Sequence, residues 1–135
     1  MTLPPFAQRH HLWTAAFVVW FIALWLLSDG ANKGPKFPTD LQVDKILHFG
    51  YFFGGAGLLS ASLFLQKKWP LHWSTLHLLV ILTLFAVGSL DEWHQSWYPL
   101  TRSGNDAGDL TADICGALVG TLIFRKAQPM VFPKL

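Results

Sequence analysis

Four apolar stretches, each about as long as a bilayer is thick, constrain this chain more than any other feature. They cover residues 11–28, 46–65, 71–90 and 107–124. A hydrocarbon core of roughly 30 Å needs about 20 helical residues, because a helix rises only ~1.5 Å per residue. In lipid every backbone N–H and C=O must be paired inside the protein, so runs of this length fold as helices. Composition agrees: 52% of residues are hydrophobic and 13% charged, where soluble domains carry roughly 25% charged residues. With 135 residues there is enough chain for one domain. The expectation is an all-α membrane protein, residues 1–135 forming a bundle of four transmembrane helices.

The first stretch, "HLWTAAFVVWFIALWLLS", is longer than the apolar part of a cleaved leader. The subsequent "LLSDGANKGPK" has no A-x-A-type site, so it reads as a retained span. The connection "DGANKGPKFPTDLQ" reads as an irregular loop. "QKKWPLHW" reads as a tight turn anchored by Lys67 and Lys68, with Trp69 and Trp73 at headgroup depth. The tail "RKAQPMVFPKL" is short, basic and interrupted by prolines. Arg9, Lys67, Lys68, Arg125, Lys126 and Lys134 fall on one side, and Lys33, Lys36, Lys45 and Arg102 on the other. Positive charge favours the cytoplasm, so both termini are expected there. A net charge of +2 with no long basic run gives no footing for nucleic acid. Cys115 is the single cysteine, which excludes an internal disulfide.

The acids are less evenly spread. All eight carboxylates fall on the outer side or in helix ends that open to it, and five lie within "DEWHQSWYPLTRSGNDAGDLTAD", residues 91–113. Helical spacing gathers them. Asp44 and His48 are four apart, with Tyr51 three further on, so they share a face. Lys45 sits one step round that helix. Asp91, Glu92 and Gln95 occupy little more than one turn, and Asp109, Asp113, Gly116 and Gly120 form a single stripe. Small residues at a spacing of four mark close helix contacts, so the acids on that stripe should also face inward. An ionised Asp at mid-bilayer costs roughly 2.5–3.5 kcal/mol on insertion scales and therefore needs a partner or water. Lys45, His48 and Arg102 are the candidate partners. The expected result is a polar pocket at the outer mouth of the bundle. Gly104, Asn105, Asp106 and Gly108 read as shaping the turn that leads into it.

These residues also resemble a family. "DKILHFGYF", "DEWHQSW", "TRSGNDAGDLTAD" and "GALVG" are similar, in order and placement, to motifs of the VanZ-like family of small bacterial membrane proteins. The likeness runs from about Asp44 to Gly120. Asp44, Lys45, His48, Phe49, Phe53, Asp91, Glu92, His94, Gln95, Arg102 and Asp109 match, with Asp106 looser. Asp113 departs, because the family often has Asn there, and it adds negative charge to the pocket. The resemblance implies a role in the bacterial cell envelope at the inner membrane, on a lipid or a lipid-linked cell-wall precursor. The family takes its name from a member associated with teicoplanin resistance. No reaction comes with the resemblance.

The pocket admits two functional readings. In the first, Arg102 and Lys45 hold an anionic headgroup. His48 acts as general acid with Asp44 orienting its ring, Asp109 and Asp113 balance charge, and Asp91, Glu92, His94, Gln95 and Asp106 complete the rim. His94 reads equally as a solvated histidine at a helix end. In the second, the same groups form a charge network that keeps helix ends in register, within an accessory subunit that binds other transmembrane helices. The acids with His48 also suit a divalent cation, but no spacing-defined metal motif is present, so no metal ligand is assigned. No cofactor is indicated.

Overall fold

The computed structural model describes residues 4–29, 41–66, 68–98 and 106–132. A short 3-10 turn, Pro5–Gln8, leads into four helices: α1 His10–Ser28, α2 Leu41–Leu65, α3 Trp73–Gln95 and α4 Ala107–Val131. All four are long and apolar enough to cross a membrane, and no strand occurs among the described residues. The helices outrun the apolar stretches because polar flanks join them. α2 begins ahead of Asp44, and α3 continues through Asp91 to Gln95. α4 runs past Phe124 and through Pro129, taking in most of the expected tail. Proline removes one backbone hydrogen bond. Near the helix end that loss is tolerated, and Phe132 beyond it is buried against Trp13, Phe64 and Phe124.

Burial is inverted relative to a soluble protein. Asp91, Asp109 and Asp113 are each 1% exposed, whereas Ile46 is 68% exposed and Val19 65%. Acids inside and branched aliphatics outside is the arrangement an apolar solvent imposes.

α2 and α4 form the most extensive helix pair, with α1 packed on α2 and α3 on α4. The cause is visible at two glycines. A Cβ on Gly116 would strike the backbone carbonyl of Phe49, and one on Gly120 would strike that of Phe53. The expected small-residue stripe therefore lies directly on the α2 backbone. α1 is tied on differently. The Tyr51 hydroxyl donates to the Trp20 carbonyl at 2.8 Å, and the Trp20 indole donates to the Tyr51 carbonyl at 3.1 Å. That indole also lies against Gly55, where no larger side chain fits.

An apolar core of Leu24, Phe52, Ala56, Leu76, Val80, Leu84, Val87 and Ala117 fills the space between the four helices. Away from the acids it gives way to a small polar network. Ser60 donates to Thr121 at 3.0 Å, and Thr121 is also bonded to His77 Nδ1 at 2.9 Å. His72 instead caps α3, accepting from the Ser74 backbone N–H. Both histidines thus stand apart from the acids.

Candidate functional site

The acids collect where the near ends of α2, α3 and α4 meet. The glycine contact sets the register between α2 and α4. One turn beyond Gly116 comes Asp113, and one turn further comes Asp109, so both must face α2. There they find His48 and Lys45, three residues apart on the opposing helix. Lys45 Nζ donates to Asp109 Oδ1 at 2.8 Å and to Asp106 Oδ2 at 3.2 Å. His48 Nδ1 lies 2.9 Å from Asp113 Oδ1, and its Nε2 lies 4.0 Å from Asp109 Oδ2. An ionised carboxylate only accepts, so with Asp113 charged His48 donates from Nδ1, and in the neutral ring Nε2 then presents a lone pair.

α3 joins the cluster from the third side. Gly88 packs where Asp113 and Leu110 approach, and this lets α3 come close to α4. Glu92 Oε2 accepts the Asp106 backbone N–H at 2.8 Å, and Asp91 Oδ2 accepts from Gln95 Nε2 at 2.9 Å. The other oxygens of these acids are less well served. Asp91 Oδ1, Glu92 Oε1 and Asp113 Oδ2 are buried and take no hydrogen bond from any described residue. Each orphaned buried acceptor costs roughly 1–3 kcal/mol, and more when charged.

Asp106 caps α4, accepting the Gly108 N–H at 2.6 Å. That bond, together with the Lys45 ammonium, holds its carboxyl below the ordinary carboxylate range against an opposing effect of burial. Gly108 is a first-turn residue of α4 rather than part of the turn expected before it. Lys45 Nζ sits 2.6 Å from where its Cβ would be, so glycine here makes room for the ammonium. Outside the chamber, the Tyr98 hydroxyl is hydrogen-bonded to Asp29, which raises the phenol above its usual value and joins the end of α1 to the end of α3.

The structure thus brings together Lys45, His48, Asp91, Glu92, Gln95, Asp106, Asp109 and Asp113. Two expected roles change. Asp44, expected to orient the His48 ring, is exposed, and the ring nitrogen is bonded to Asp113 instead. Asp113 reaches the ring from across the α2–α4 interface. His94 belongs to neither the rim nor solvent. It is buried, stacked on Trp25 at 4.0 Å, with Trp97 and Tyr98 edge-on. The three-residue step from Asp91 turns it towards α1. Arg102 and the Gly104–Asn105 turn lie outside the described residues. The Asp29–Tyr98 bond and the His94–Trp25 stack have no spacing signature, because each joins side chains distant in sequence.

Comparison of the chain with protein-family models, with curated proteins and with solved structures returns no match.

Proposed function

We propose that this chain is a VanZ-like protein of the bacterial inner membrane, with both termini cytoplasmic, that recognises a phosphate-bearing lipid or polyprenyl-linked precursor at an outward-facing chamber. One observation carries the reading: ionisable groups from three helices converge within the apolar spans, and three of their buried oxygens take no hydrogen bond from any described residue. A charge network serving only to align helices has no use for buried acceptors that lack a donor among the described residues, since each weakens the fold. A buried ionisable group within a span is a functional-site hypothesis by default.

The described part of the chamber is acidic. Asp44, Asp91, Glu92, Asp106, Asp109 and Asp113 accompany Lys45 and His48, and Lys45 is already engaged by two carboxylates. The phosphate is therefore assigned to the rim and to Arg102, whose planar fork matches two phosphate oxygens. The acids accept from hydroxyl or amine donors of the same headgroup. Native mass spectrometry of gently extracted protein tests this directly. The expected result is a co-purifying phospholipid or lipid-linked phosphate that Arg102→Ala loses at unchanged protein abundance. Wild-type protein carrying no such lipid, or equal retention by the variant, defeats the reading. Loss of abundance in both Arg102→Ala and His48→Ala favours the helix-aligning accessory subunit instead.

A further inference from the structure

Two of the unsatisfied oxygens belong to residues that converge on one histidine. His48 from α2 and Asp91 and Glu92 from α3 each offer a ligand atom, and the three atoms lie within 4.8 Å of one another. Asp91 and Glu92 are more than nine-tenths buried, and each has one oxygen engaged and one unengaged by any described residue. Donors around a transition-metal ion stand roughly 3–4 Å apart, since the bonds themselves are about 2.0–2.2 Å. Small side-chain adjustments close the set to that size.

We propose that His48, Asp91 and Glu92 hold a divalent metal ion of the manganese, iron or zinc class across the α2–α3 interface. Imidazole with two carboxylates suits these ions, whereas calcium and magnesium favour all-oxygen surroundings. Asp113 supplies the supporting contact such sites use: bonded to Nδ1, it fixes the ring and leaves Nε2 to face the metal. Asp109 Oδ2, 4.0 Å from Nε2, stands ready as a further oxygen from α4. A second trio shares His48 with Asp44 and Asp109. It is the poorer site, because Asp44 is exposed and Asp109 already carries Lys45. Spacing-defined metal motifs need ligands clustered at short, fixed intervals, so a set divided between His48 and the distant Asp91–Glu92 pair escapes them. The site rests on its own geometry and holds whether or not a headgroup binds nearby.

The test uses the ion alone. Protein in phosphatidylcholine nanodiscs is stripped with EDTA and titrated with Mn²⁺, with free ion read by electron paramagnetic resonance and unfolding monitored in parallel. One ion per chain and a raised melting temperature are expected. Asp91→Asn and Glu92→Gln should lose saturable binding, yet melt without metal at or above the wild-type temperature, because each removes a buried charge. Asp113→Asn should weaken binding by roughly 10–100-fold. Cys115→Ser, altering an exposed thiol on α4, should bind as wild type does. The proposal is overturned if the wild type shows no saturable binding of Mn²⁺ or Zn²⁺. It is equally overturned if binding survives in both amide variants or disappears with Cys115.

Discussion

Lys45 reaches two carboxylates at once, and one of them, Asp109, is 1% exposed. Removing the ammonium strands a buried charge, which is worse than removing both members of the pair. Lys45→Met should therefore lower the melting temperature by several degrees in detergent, and Lys45→Met combined with Asp109→Asn should recover most of it. A double variant no better than the single one would show that the pair is not coupled. Asp106 gives a pH signature. Its carboxyl is held below the ordinary 3.8 in the folded state, so its stabilisation is present above that value and is lost as the pH falls through the folded one. Asp106→Asn retains a capping oxygen but not the charge. Its stability deficit against wild type should be largest near neutral pH and shrink on acidification. Asp106→Ala should cost roughly 0.5–2 kcal/mol as a lost cap.

Among the elements, the contact of α2 with α4 is the one on which the site depends, and glycines report on it selectively. Gly116→Ala and Gly120→Ala place a methyl group against the α2 backbone and should destabilise by roughly 1–3 kcal/mol. Gly50→Ala and Gly54→Ala meet nothing within 4 Å. These two should be neutral, or stabilise by up to about 0.5–1 kcal/mol through better helix propensity. Thermal unfolding of the four variants side by side separates a packed stripe from a merely glycine-rich one. This stripe is also the best guide available in the sequence. Gly116 and Gly120 announce their face, and that face carries Asp109 and Asp113 with it. The partners across the interface are harder to read. Helical periodicity states which residues share a face, and it is silent on which face of a second helix they meet. Spacing pairs Asp44 with His48, while the bond goes to Asp113, 65 residues away in sequence.

For the whole molecule, four spans are legible because hydropathy requires no knowledge of tertiary structure. The spacing of Asp91, Glu92 and Gln95 also extends the third of them, whereas the run of α4 through Pro129 is not legible, because a proline reads as a break until Phe132 is seen packed beyond it. Orientation is open to a direct measurement. In a Cys115→Ser background, a cysteine at Trp97 should react with an impermeant maleimide on intact cells, and one at Lys68 only after permeabilisation. The reverse pattern would invert the topology and place the chamber in the cytoplasm.

The stripe on α4 has a consequence for how such a chain can change over time. Its acids and its glycines lie in one phase of the helix, and each inserted or deleted residue rotates the remainder of that helix by about 100°. Single replacements between Asp113 and Gly116 can retune the chamber gradually. A one-residue indel there would turn either the carboxylates or the glycines into the acyl chains, abolishing the polar recess and the helix contact in the same event.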